Sequence, residues 1–298
     1  HYRAPAPYTY LAYHADGTID VHTSSGGNAY RHYMLTDSDG ISHQVYCVES
    51  GIPYHTSENT YVSESGTNSQ YLNRLPAEAR RGITLTAIYG WKPGAALPVS
   101  GINEDDYKMA TQIILWEYQQ QLRSDPYSRH GNGHADADQY FSVIAGRPAE
   151  KAYDWILAQV ASHSTVPSFT SSKKSEAPEL ELKWDVEKKV YTLTVTDTNN
   201  LKIDLEALKG SGVSVTRNGN EYTFTSRQMM MDPVLFEFRK NIPVANDMLI
   251  WGRPGYQTMM TGASDPVSFF VKFKTETYGT AKLVKTSEDG IVSGITFH

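Results

Sequence analysis

The hydrophobic period changes twice along these 298 residues, and that restricts the chain to a mixed fold. Residues 1–100 read mostly as short strands and turns. In "YTYLAYHADGTIDVHT" apolar and polar residues alternate around Asp16-Gly17, a hairpin signal. "HQVYCVES" keeps the alternation, with Val45, Cys47 and Glu49 on one face and Tyr46 and Val48 on the other. "AEARRGITLTAIYGW", Ala77 to Trp91, reads as starting helical and finishing extended, and "GWKPGAALPVSG" as a loop. From Asn103 the period becomes helical. Asn103 is a predicted N-cap, three acids fill the first turn, and good helix formers follow in "NEDDYKMATQIILWEYQQQLRS". A second helix is predicted in "HADADQYFSVIAG" and a third from Pro148, well placed for a first turn, through "AEKAYDWILAQVASH". After the polar connector "STVPSFTSSKKSEAP" the chain turns strongly β. "ELKWDVEKKVYTLTVTD", "GVSVTRNGNEYTFTS" with Asn218-Gly219 as a type I′ turn, and "PVSFFVKFKTET" all alternate. The expected fold class is α+β. Sandwich- or barrel-like β layers span 1–102 and 164–278, with a helical subdomain inserted over about 103–163.

Cys47 is the only cysteine, so it cannot staple its own fold. A lone thiol is either a small buried hydrophobe or a nucleophile and acyl carrier, and the residue alone leaves both readings open. Proteins that pass through an oxidising compartment pair their cysteines or lose them, which leans the chain toward an extracellular life. The abundance of tyrosine, 20 against nine phenylalanines, leans the same way. The chain opens at His1 without methionine and reads as a processed or excised fragment. A net charge of −6 with no basic stripe argues against nucleic acid as a partner. No apolar run is long enough for a bilayer, so no membrane insertion is expected of this fragment.

Two further stretches hold polar groups in apolar settings. In "ATQIILWEY", Gln112 and Trp116 stand one helical turn apart with Thr111 beside them. A buried glutamine there needs every hydrogen-bonding position filled. In "RPGYQTMMTG", Gly255 and Gly262 bracket a short apolar run that carries Gln257.

In this order, Tyr46-Cys47-Val48, Thr111-Gln112 with Trp116, and Tyr256-Gln257-Thr258-Met259-Met260 resemble the thioester domains of Gram-positive surface adhesins. "CVESGIP" and "IYGW" add to a likeness that covers roughly residues 5–275. The resemblance implies an internal thioester between Cys47 and Gln257, 257 − 47 = 210 positions apart. Gln228 in "SRQMMMD" is the alternative glutamine, although Arg227 precedes it where the family has an apolar residue. It further implies attack by a lysine amine of a host surface or matrix protein, which leaves an isopeptide bond. Thr111 and Gln112 would then hydrogen-bond around the thioester carbonyl, and Tyr46, Tyr256, Trp116, Trp251 and Met259 would line the site and exclude water. His43 and His55, near Cys47 in sequence, are candidate bases for the incoming amine. The module so implied is a monomer that reacts once and is not an enzyme. It uses no metal and no cofactor, and it sits outside the cell on a wall-anchored protein whose anchor lies beyond this fragment. "KLVKTSEDGIVSGITF" is similar to the opening hairpin of collagen-adhesin B-type stalk domains, with Lys285 at the usual place of an isopeptide lysine. The expected division is a thioester domain over 1–278 and a linker or truncated stalk over 279–298.

Two other classes compete: a Cys–His hydrolase or transpeptidase using Cys47, and a passive binding or stalk module whose cysteine is structural. The set His130, His134, Asp136 and Asp138 in "RHGNGHADAD" lacks helical metal-site spacing and reads as a solvated loop. "DSDG" at 37–40 reads as a turn. Trp91, Trp184 and Trp251 read as core or rim side chains more readily than as a sugar site.

Overall fold

The computed structural model describes residues 2–3, 9–13, 19–22, 30–36, 42–49, 60–123, 140–141, 143–201, 208, 210–243, 247–252, 255 and 257–277. The chain begins with β1 (Tyr2–Arg3), β2 (Thr9–Tyr13), β3 (Ile19–His22), β4 (Tyr30–Thr36), β5 (Ser42–Cys47) and β6 (Thr60–Ser65). Helices α1 (Gln70–Arg74), α2 (Ala77–Tyr89), α3 (Glu104–Gln119) and α4 (Pro148–Ser162) follow. Then come β7 (Glu179–Asp185), β8 (Val190–Thr196), β9 (Val213–Asn218), β10 (Glu221–Ser226) and β11 (Val234–Arg239). The described strands end with β12 (Leu249–Gly252), β13 (Met259–Thr261) and β14 (Ser268–Thr275). This is an α+β protein. It divides into two compact units, His1–Thr165 with Asn241–Val267, and Val166–Lys240 with Ser268–His298.

The first unit carries an eight-stranded sheet in the order β1-β6-β12-β13-β5-β4-β2-β3. Arg3 of β1 also pairs with Thr36 of β4, so the run from β1 round to β4 closes on itself. Strands β2 and β3 form the antiparallel hairpin expected from the alternation around Asp16-Gly17, whose own residues lie outside the described ones. The long central helix starts where the sequence marks it. Asn103 Oδ1 accepts from the Asp106 N–H at 2.8 Å, and Asp106 Oδ2 accepts from the Asn103 N–H at 2.9 Å, a reciprocal capping box. Pro148 opens α4 as expected. Helix α3 packs on α2, α4, β4 and β5, which is why Met109 to Tyr118 are buried on every side of it.

Two expectations are corrected in this unit. Helix α2 runs unbroken to Tyr89 and does not finish extended. Its Ile83, Thr86 and Tyr89 recur at helical spacing and are buried, so packing overrides the strand preference of the β-branched residues in "ITLTAIY". Helical structure therefore begins at α1, well before Asn103. The helix expected to reach Gly146 does not do so: Tyr140 and Phe141 are helical, but 143–146 form turns.

The second unit holds a six-stranded sheet in the order β11-β14-β7-β8-β10-β9, parallel only between β14 and β7. Along β14 the alternation is regular, with Phe269, Val271, Phe273 and Thr275 buried. Each buried aromatic or Val contributes about 1.5–3 kcal/mol. The β9–β10 hairpin forms as predicted, with its turn shifted by one residue. Glu221 pairs with Asn218, so Gly219-Asn220 is the loop. Only Gly219 of that pair has positive φ, +60°, the pattern of a II′ turn and not I′.

Candidate functional site

Cys47 ends β5 and is fully buried. Its backbone is held from two sides. On one side β13 pairs with β5, placing Met259 opposite Cys47 and Met260 opposite Tyr46. On the other side stands the amide of Gln112, itself buried in α3. Gln112 Oε1 accepts from the Cys47 N–H at 3.0 Å, and Gln112 Nε2 donates to the Cys47 carbonyl at 2.8 Å. The side chain thus does what a neighbouring strand would do, and it satisfies both backbone groups at the place where the sheet meets the helix.

The ladder continues from Cys47 toward Gln257. The Val48 N–H donates to the Thr258 carbonyl at 2.9 Å, and the Thr258 N–H donates to Glu49 Oε2 at 2.9 Å. In this antiparallel register Gln257 is the diagonal neighbour of Cys47, two residues before its direct partner. Strand alternation carried back from Met259 past the start of β13 would set Gln257 on the face of Cys47, at the spacing of a diagonal cross-strand pair. Gln257 is buried, and its Oε1 has no hydrogen-bond partner among the described residues. Trp251 lies opposite Met259 across β12, so Cys47, Met259 and Trp251 form one buried row.

The third motif group builds the wall beside this row. Thr111 Oγ1 accepts from the Trp91 N–H at 2.9 Å and donates to the Tyr107 carbonyl at 2.8 Å. The Tyr46 hydroxyl donates to the Trp91 carbonyl at 2.7 Å, and burial pushes its phenol well above the usual range. Gly90 lies so close to α3 that an added Cβ would stand 2.3 Å from Thr111 Cγ2. "IYGW" and "TQ" are therefore two halves of one contact. Trp116 is buried, with its ring 5.3 Å from that of Tyr140. Farther along α3, Glu117 bonds Arg123 and Tyr153 at 2.8 Å, and burial still lifts its carboxyl to about 7.

The structure brings Tyr46, Cys47, Thr111 and Gln112 into one bonded cluster, with Gln257 in register beside it. Gln112 and Thr111 bond the backbones of Cys47 and Trp91, whereas the expectation put them around a Gln257 carbonyl. Gln228 lies in the other unit, exposed just after β10. Tyr256, His55, the side chain of His43 and the loop with His130 and His134 lie outside the described residues. His163 is the one histidine whose side chain is described, and it bonds Tyr89 at 2.8 Å and Asp265 at 2.9 Å. Two site residues escaped the sequence reading. Glu49 carried a signal, since the alternation puts it on the face of Cys47. Tyr71, whose hydroxyl donates to the Val48 carbonyl, sits in a short helix that no pattern announced.

Residues 44–162 match the family model of the thioester domain. That segment belongs to the thioester-domain family. The thioester-domain match contains Cys47, Thr111, Gln112 and Trp116, and stops before Gln257. Among solved structures, the chain is similar to the thioester domain of the Staphylococcus aureus TIE protein at 14% identity and a TM-score of 0.49, covering 92% of this chain and 98% of that one. It is also similar to the N-terminal domain of the Streptococcus pyogenes pilus tip adhesin Cpa, at 12% identity and a TM-score of 0.37, covering 86% and 91%. No curated protein matches.

Proposed function

We propose that Cys47 and Gln257 close an internal thioester, and that the chain uses it to attach covalently to an amine on a target protein. In closure the Cys47 sulfur attacks the side-chain carbonyl carbon of Gln257. The S–C bond forms, the C–N bond breaks, and the thiol proton leaves with the amide nitrogen as ammonia. When an amine attacks, the new C–N bond replaces C–S and a proton returns to sulfur. A primary amide is a poor electrophile, and closure relies on the high effective molarity of two groups fixed side by side. The observation that supports this reading is the register of β5 and β13, in which Gln257 comes two residues before the direct partner of a cysteine locked by Gln112.

The chemistry favours a lysine as the nucleophile, and the motif set favours a host surface or matrix protein as its bearer. The module acts once per molecule and is no enzyme. It works as an extracellular adhesin head on a wall-anchored protein, with residues 1–278 as the reactive domain and 279–298 leading toward a stalk. A free lysine, with a pKa of about 10.4, is only about 0.1% neutral near pH 7.4, so docking of the target must prolong the encounter. The test is the intact mass of the folded protein. Closure makes it lighter than its sequence by one ammonia, with no titratable thiol, and Cys47→Ala abolishes that loss. Full mass together with a titratable Cys47 thiol would sink the reading.

A further inference from the structure

The residue after each reacting group is tied to the opposite strand, and the tie is not an ordinary ladder. Thr258 accepts from the Val48 N–H at 2.9 Å, as a strand partner should. The Thr258 N–H, however, turns to the side chain of Glu49, whose Oε2 also accepts from Thr258 Oγ1 at 2.5 Å. The Val48 carbonyl receives the hydroxyl of Tyr71 instead. Burial raises the Tyr71 phenol above its usual range, with the charges of Glu49 and Cys47 adding, so it stays a donor next to both. Regular β13 structure begins only at Met259. Thr258, the one residue between Gln257 and β13, is thus fastened through its carbonyl, its N–H and its hydroxyl just before regular strand structure begins.

We infer that Glu49 is a positioning residue for thioester closure: its carboxylate docks Thr258 so that the Gln257 side-chain carbonyl carbon is held at the Cys47 sulfur. This rests on the Cys47–Gln257 reading above. Glu49 exchanges no atom in the step. Its effect is geometric, and geometry matters here because a displacement of about 1 Å costs roughly a hundredfold in rate for a reaction that relies on proximity. A carboxylate accepts two bonds on one oxygen, and the amide oxygen of glutamine has the same two lone pairs. The conservative variant therefore retains the docking without the charge.

The experiment compares wild type, Glu49→Ala, Glu49→Gln and Thr258→Val for three readouts: the fraction lighter by one ammonia, the rate of methylamine incorporation, and the melting temperature. Glu49→Ala is expected to fold and to lower the closed fraction about tenfold or more. Glu49→Gln should restore closure, and Thr258→Val, which keeps only the N–H bond, should lower it. The inference is overturned if Glu49→Ala closes and reacts like wild type, or if Glu49→Gln fails as badly as the alanine variant. Should Glu49→Ala not fold, a folded Thr258→Val that closes fully overturns it as well. A wild type of full mass with a free thiol contradicts the Cys47–Gln257 reading itself, a result separate from any of these.

Discussion

A glutamine side chain offers one acceptor and two donors, and in Gln112 both kinds meet the backbone of Cys47. Truncation to alanine removes two hydrogen bonds worth about 1 kcal/mol each and leaves a buried N–H and carbonyl unmatched. Gln112→Ala should therefore lose about 2–4 kcal/mol in denaturant unfolding, and a loss below half a kcal/mol would show that the bonds do not hold the site. Lys92 gives a pH-dependent prediction at the same scale. Burial lowers its ammonium to about 8, while it donates to the Ile88 carbonyl. A base with a depressed folded pKa contributes stability that is present above its unfolded value, near 10.5, and lost as pH falls through about 8. Wild type should thus gain stability relative to Lys92→Met between pH 7.5 and about 10. Equal pH slopes for the two proteins would refute the assignment.

At the scale of elements, the helix interface shows where local rules yield to packing. Gly82 sits inside α2, where alanine would ordinarily favour the helix by about 1 kcal/mol. A Cβ there would stand 2.1 Å from the ring of Tyr118, which is buried and cannot swing away. Overpacking of this kind costs about 1–3 kcal/mol, so Gly82→Ala should destabilise, and a more stable variant would contradict the contact. The elements legible in the sequence are those with local punctuation. Asn103 with Asp106, Pro148, and the alternation of β14 and of the β9–β10 hairpin each announce themselves within a few residues. The full length of α2 was not legible, because "ITLTAIY" prefers strand and burial against α3 and α4 makes it helical. The turn at Gly219-Asn220 was misplaced by one residue, since Asn-Gly and Gly-Asn both make tight hairpins and cross-strand register alone decides between them.

At the scale of the whole molecule, the α+β class was legible because the hydrophobic period changes along the chain. The parts of the candidate site could be named one by one from their motifs. Their arrangement could not, because it depends on pairing far in sequence: Cys47 with Met259, and Gln112 with Cys47 across 65 positions. The clamp of Glu49 on Thr258 spans 209 positions and has no local signature. These distant contacts converge on one claim, that Cys47 and Gln257 form a thioester open to amines. Its most direct test is peptide mapping after the folded protein is incubated with methylamine and digested. One methylamide should appear on Gln257, with the Cys47 thiol released, and none should form in Cys47→Ala. A methylamide on Gln228, or an unmodified Gln257 beside a thiol that was titratable from the start, would contradict the account.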